Sequence, residues 1–452
     1  MLKKTVFGLL FIALALLALT GCSNRNGTVP TPVYLIVIDT LRTDALSTYG
    51  GKWPTPFLDE FAAQGVVFEN CIAPSSWTVP STASLLTGLY PFHHGTVKAL
   101  QESGHVLSQQ TLSSGWKTVA EYFKQMEYKT YGVSGNGHLA EQYGFTQGFD
   151  EFVTHDFKGM DSVTSSWSGM AAKIAGEYRF GSPFFAFLFY FDPHHPYVPR
   201  EPYISKYYPN YLEPSQALLG KDMVQMWRDG YFKQHPKAVV VARAMYDSEV
   251  AALDAHLRDV FNQLPGFDDA LVILTSDHGE EFFEHEQMIH GNNLMQTQIH
   301  VPLIVKLPKG AHGGLRVKDP VSLVDILPTM MEVVGGPTGN WDGRSLVAHW
   351  TGKKAAPRDL FSHLDVPWAK HSALVRWPFK FIQQANGKRW QYNLAVDPDE
   401  KKDIYSEKDA NAVAAYRELA ERGAYDVKYP PRVMSNDIPE DLREKLKNLG
   451  YL

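Results

Sequence analysis

The chain has 452 residues, enough for one large domain with a smaller one beside it. Apolar residues at 44% and charged residues at 20% are those of an ordinary globular protein. A formal charge of −6 without a long basic run removes nucleic acid from the partners to consider.

Lys3 and Lys4 open the chain, followed by an apolar run from Val6 to Leu19 that is short for a spanning helix. The run ends in Leu19-Thr20-Gly21-Cys22 before polar Ser23 to Gly27, which resembles a bacterial lipobox. On that reading residues 1–21 are a signal peptide and the Cys22 thiol is acylated, so the mature protein is exported and lipid-anchored in the cell envelope. Serine rather than aspartate at 23 fits an outer membrane, where the cell has one. A plain signal peptide with a chance cysteine is the other reading. With Cys22 acylated, Cys71 is the one thiol left, no intrachain disulfide can form, and the apolar stretch Val66 to Ile72 around it suits a small buried residue. Residues 22–32, with two prolines at the end, read as a tether.

Four runs of β-formers follow, each ending in residues suited to chemistry. Val33 to Ile38 ends in Asp39, Tyr128 to Ser134 near Asn136 and His138, Phe184 to Phe191 near Asp192 and His194, and Leu271 to Leu274 in Thr275-Ser276-Asp277-His278. Near-continuous apolar runs fit parallel strands buried on both faces, with helices between them. One helical pattern spans Val241 to Leu264, with Val250, Leu253, Leu257 and Val260 on one face. Open α/β sheets bind ligands beyond the carboxyl ends of their strands, so these ends predict a site. Lys353 to Arg358 reads as a linker. Short β pieces then come at Ser372 to Val375, Phe379 to Gln383 and Trp390 to Leu394, with Asn386-Gly387 as a hairpin turn and a helix at Pro439 to Leu449. The expected architecture is α/β. A large, mixed, mostly parallel sheet flanked by helices occupies residues 33–352, and an antiparallel sheet plus helix occupies residues 353–452.

Asp39, Asp277 and His278 combine hard oxygen ligands with one imidazole, a set suited to Ca²⁺, Mg²⁺, Mn²⁺ or Zn²⁺. Alternatively, the two aspartates cap helices that follow their strands. Between Pro80 and the stop signal Gly88 a short helix is expected, with Thr78 just before it. There a hydroxyl meets the positive end of the helix dipole, and a nearby metal would lower its pKa for attack on phosphorus or sulfur. A simple helix cap is the other role open to Thr78.

Several segments together resemble the sulfatase family of the alkaline phosphatase-like superfamily. They are Val37 to Asp44, Pro80-Ser81 with Leu85 to Pro91, Gly148-Phe149-Asp150, Asp192 to Tyr197, Ser276 to Glu280, His285, His290-Gly291 and Val301-Pro302-Leu303. Ser322 to Thr329, Asp397-Pro398 with Glu400, and Leu449 to Leu452 continue the family's order. The resemblance implies that Asp39, Asp277 and His278 hold the metal, Ca²⁺ first among candidates. It implies that Asn136, His138 and His194 bind the anionic ester, and that His290 binds it and assists the leaving group. His195 and His285 are supporting candidates, and Thr40 stands where many members have a metal-binding aspartate.

The chain departs from the family at the nucleophile. Most sulfatases convert a Cys or Ser within Cys/Ser-x-Pro-x-Arg to formylglycine, whereas here Thr78, Pro80 and Thr82 stand at those positions. Formylglycine is therefore not expected, and an esterified threonine must be cleared by water or another acceptor. That favours phosphate or phosphonate esters beside sulfate esters, with a small molecule, glycan or lipid as the substrate. Transfer of a phospho-group to a lipid or glycan, and a degenerate fold that binds anionic glycans, are the rival functions.

Overall fold

The computed structural model describes residues 30–432 except 103–104, 180, 212–217, 220 and 424–426. Cys22, the signal peptide and the helix expected at 439–449 lie outside the described residues.

The strand Val33–Ile38 (β1) has no charged side chain and is buried throughout, as a strand covered on both faces must be. It forms the middle of a nine-stranded sheet whose other members are Val66–Ile72 (β2), Lys129–Ser134 (β3), Glu151–Thr154 (β4), Phe184–Tyr190 (β5), Leu271–Ser276 (β6), His300–Lys306 (β7), Arg316–Val317 (β8) and Val321–Ser322 (β9). The order is β8-β2-β7-β6-β1-β5-β3-β4, with β9 also on β2. β1 pairs parallel with β5 and β6, and β5 parallel with β3. The four apolar runs read from the sequence are therefore adjacent parallel strands, and their carboxyl ends share one edge. Only β7 runs against both its neighbours, β2 and β6.

Alternation along β1 divides the core into two layers. Val33, Leu35 and Val37 pack with Thr78–Thr87 (α1) and Ile326–Val334 (α4) on one face. Tyr34, Ile36 and Ile38 pack with Met160–Arg179 (α2) and Pro236–Phe261 (α3) on the other. α3 is the helix expected from the periodicity at 241–264, and Val241, Val250, Leu253, Leu257 and Val260 are buried on it. Each such side chain contributes about 1.5–3 kcal/mol on burial. Cys71 is buried in β2, which pushes its thiol pKa well up. Among the described residues no helix is long and apolar enough to cross a membrane.

The antiparallel sheet is Leu360–Val366 (β10), Ala369–Arg376 (β11), Phe379–Gln384 (β12) and Arg389–Asn393 (β13). Gly387, at φ 88°, lets the β12–β13 hairpin turn. Phe361, Leu374 and Phe381 face a helix the sequence reading did not place, Ala410–Gly423 (α5), which buries Ala412, Ala415, Tyr416 and Leu419. The opposite residues Leu360, Leu364, Ala373, Val375 and Ile382 join the main core.

Candidate metal and ester site

Parallel pairing continues one residue past β1, where the Asp39 amide donates to the Tyr190 carbonyl at 2.9 Å. This places the Asp39 carboxylate at the sheet's carboxyl edge beside Asp277 and His278, which follow β6. All three are fully buried. His278 Nε2 lies 3.6 Å from Asp39 Oδ1 and 3.4 Å from Asp277 Oδ2. Neither aspartate caps a helix. Asp277 Oδ1 instead accepts from the His278 amide at 2.9 Å and the Thr40 amide at 3.4 Å. His278 Nδ1 donates to the Gly279 carbonyl at 2.9 Å, so its Nε2 carries the lone pair facing the carboxylates.

Thr78 is the first residue of α1 and not its cap. That position belongs to Trp77, whose side chain makes no capping hydrogen bond. The Thr78 hydroxyl instead lies 3.2 Å from His278 Nε2, fully buried, at the end of the helix where backbone amides lack intrahelical partners. Ser81, one turn on, donates to the Asp277 carbonyl at 2.5 Å, tying α1 to the β6 end.

Asn136 is committed at both ends of its amide: Nδ2 donates to Asp39 Oδ2 at 2.8 Å, and Oδ1 accepts from the His138 amide at 2.9 Å. In this structure it orients Asp39. The His138 ring is edge-on to Trp77, with centroids 6.4 Å apart, and burial depresses its pKa to about 3. His194 stacks on Phe191 and His195, with centroids at 4.5 and 4.3 Å. His290 bridges the two halves of the site, 4.4 Å from the His278 ring and 4.8 Å from that of His194. The sequence reading gave Glu280 no role, yet its buried Oε1 lies 3.0 Å from His290 Nδ1, and burial raises its pKa to about 7. His285 points away, with Nε2 3.0 Å from the Asp399 carbonyl. Tyr246, also unread, anchors the turn after Asp39: its hydroxyl accepts from the Arg42 amide and donates to the Thr40 carbonyl.

Burial, then the neighbouring charge of Asp277, pushes the Asp39 carboxyl well above the carboxylate range. Burial also raises Asp277, against the pull of His278. Asp39 Oδ1 and Asp277 Oδ2 have no hydrogen-bond partner among the described residues. Two such oxygens beside an imidazole lone pair fit a divalent cation, which would stabilise both carboxylates as anions.

A cation held by buried carboxylates, with a hydroxyl at a helix N-terminus, suits attack on an anionic ester, and the fold and site together define a metal-dependent α/β ester hydrolase. The chain belongs to the sulfatase family, whose family model, described as Sulfatase, matches residues 32–336. It is 26% identical over 393 residues to the multifunctional alkaline phosphatase superfamily protein PehA of Trinickia caryophylli, covering 70% of this chain and 76% of that one. It is 25% identical over 344 residues to the uncharacterised sulfatase YidJ of Escherichia coli, covering 66% of this chain and 67% of the other. Among solved structures, the phosphonate monoester hydrolase of Agrobacterium radiobacter aligns with TM-score 0.68 at 21% identity, over 90% of this chain and 100% of that one. A protein solved with its substrate D-glucosamine-2-N,6-O-disulfate aligns with TM-score 0.67 at 18% identity, over 93% and 98%.

Proposed function

We propose that the protein hydrolyses sulfate, phosphate or phosphonate esters with Thr78 as nucleophile. The observation that carries this is the placement of the Thr78 hydroxyl at the start of α1, 3.2 Å from His278 Nε2. His278 Nδ1 is already a donor, so its Nε2 is the nitrogen that faces the Thr78 hydroxyl and the two carboxylates together. A divalent cation on Asp39, Asp277 and His278, calcium by family resemblance, would supply a lower hydroxyl pKa and a polarised ester. Thr78 Oγ1 then forms the bond to sulfur or phosphorus as the bond to the ester oxygen breaks. The hydroxyl proton is lost, and one proton reaches the departing oxygen by way of His290. Water afterwards cleaves the Thr78 ester, releases the acid and restores the hydroxyl. Asn136 holds Asp39 for this step, His138 and His194 receive the nonbridging oxygens, and His290 protonates the departing oxygen. The phosphonate ester and glycan sulfate named for the structural neighbours set the compounds to try first.

The test is turnover of aryl sulfates, phosphate mono- and diesters and phosphonate monoesters with Ca²⁺, Mg²⁺, Mn²⁺ or Zn²⁺ supplied. Thr78→Ala should lose activity by at least about 10³-fold, with mass spectrometry trapping a modified Thr78 in the parent. Equal turnover by Thr78→Ala and parent would overturn the assignment. Acylated Cys22 would hold the enzyme at the envelope membrane, and Cys22→Ser should release it. A variant that stayed membrane-bound would refute the anchor.

A further inference from the structure

Two-residue hairpin turns ordinarily use small or polar residues such as Asn and Gly, whereas the turn from β10 to β11 is Pro367-Trp368. Trp368 leaves 39% of its surface in solvent. Exposure alone does not single it out, since Trp377 at the other end of the same sheet is 40% exposed. Its contacts do. The Trp368 indole Nε1 donates to the Gly291 carbonyl at 2.9 Å, and the Gly291 amide donates to the Ser76 carbonyl at 2.9 Å. The indole is thus tied to the residue that follows His290, and through it to the segment that leads into Thr78. A second element meets it there. The helix Met223–Arg228 packs on Met288–Ile289, and the guanidinium of its last residue stands over the Trp368 ring, 5.6 Å from the centroid. Arg228 is exposed as well. An indole and a guanidinium therefore lie together in solvent beside the backbone of His290.

We propose that Trp368 and Arg228 bind the alcohol part of the ester, and that this part is a sugar carrying a second anionic group. The pair selects for that combination. A pyranose offers an apolar C–H face for an indole to cover while its hydroxyls stay in water. A guanidinium takes a carboxylate or sulfate through paired hydrogen bonds, and lying over an aromatic ring presents it for that. A simple alkyl alcohol would use neither side chain, and an aryl alcohol only the ring. That the bound sugar is the leaving group rests on the function proposed above, through His290; its binding does not.

Binding is measured by calorimetry on the full chain with Ca²⁺ supplied, in a Thr78→Ala background so that the ligands stay intact. The ligands are the sulfated uronate disaccharides that lyases release from heparin and chondroitin sulfate, with phenyl sulfate for comparison. At least one disaccharide should bind about tenfold more tightly than phenyl sulfate. Trp368→Ala should weaken the disaccharide by about tenfold, and Trp368→Phe should recover most of that because a ring remains. Arg228→Gln should weaken it about fivefold and phenyl sulfate less. A protein that prefers phenyl sulfate, undiminished disaccharide binding in Trp368→Ala, or equal weakening of both ligands in Arg228→Gln would overturn the subsite. Trp368→Phe as poor as Trp368→Ala, with both melting like the parent, would also overturn it, since the lost group would then be the tether to Gly291. Disaccharide binding by a chain that, with Thr78 intact, turns over no ester would overturn the hydrolysis and leave the subsite standing.

Discussion

Tyr246→Phe isolates a single hydroxyl. Tyr246 is fully buried in α3, and its hydroxyl accepts from the Arg42 amide at 2.8 Å and donates to the Thr40 carbonyl at 2.9 Å. These bonds close the turn after Asp39, in which Thr40 has φ 56°. Phenylalanine keeps the ring contacts with Phe282 and Tyr197, at 5.1 and 5.9 Å. The change therefore strands two buried backbone groups, at about 1–3 kcal/mol each. Relief from burying the hydroxyl itself returns about 1–3 kcal/mol, leaving a net loss centred on about 2 kcal/mol. Urea unfolding should show this as a lower midpoint at unchanged m-value, and metal titration should show weaker binding because Asp39 begins the same turn. A loss below about 0.5 kcal/mol, with metal affinity intact, would refute the idea that this hydroxyl fixes the turn.

Thr40→Gly should stabilise the protein by about 1 kcal/mol, because a β-branched residue at positive φ costs about 1–2 kcal/mol and glycine's added chain freedom offsets about half. Among the described residues the buried Thr40 hydroxyl has no hydrogen-bond partner, so no bond is lost, and a variant that melts no higher than the parent would refute the strain. Removing a divalent ion present at 100 times its dissociation constant should cost about 2.7 kcal/mol. Chelation should lower the melting temperature accordingly, and a chelator shift as large in Asp277→Asn as in the parent would place the ion elsewhere. His94 accepts from the Thr96 amide through Nδ1, donates to Ser84 through Nε2, and is depressed by burial to about 3. The unfolded chain binds that proton first, so its contribution is intact above pH 6.5 and is lost as pH falls from about 6.5 to 3, at about 1.4 kcal/mol per unit. His94→Gln should flatten the stability profile over that window by this slope. An unchanged slope would remove His94 from the acid sensitivity.

The parallel heart of the sheet was legible because strands buried on both faces leave continuous apolar runs, and because Asp39 and Asp277-His278 interrupt those runs at their ends. Runs of that kind carry no sign of direction. Nothing in Val301 to Val305 marks β7 as antiparallel, since its direction is set by the path of the chain before it. Thr78 was ambiguous for a related reason: a hydroxyl near a helix start serves as cap or nucleophile. Only the folded chain shows that Trp77 holds the cap position and that the Thr78 hydroxyl faces His278, 200 residues away. The hydrogen bond from Asn136 to Asp39 had no sign in the sequence, because it exists only once β1 and β3 lie in one sheet. Glu280 could have been noticed by its position two residues after His278, but Tyr246 had no such signal. It is one aromatic in a helix otherwise read by its apolar face. α5 is short of large apolar residues, and alanines supply half of its buried face.

The sharing of the small sheet's inner face with the main core bears on how this chain would withstand proteolysis. Residues 353 and 354 are exposed in the stretch leading to β10, and a protease has open access there. Cutting would separate two polypeptides without separating their folded parts, since Leu360, Leu364, Val375 and Ile382 belong to the main buried core and β10 is tied by Ser362 and His363 to the carbonyls of Ala73 and Pro74. A nicked sample should run as two bands in denaturing gel and as one species on a sizing column. The same interdigitation means that strands β10 to β12 are not a detachable cassette: a relative that changed them wholesale would have to rebuild part of the core it shares with the large sheet.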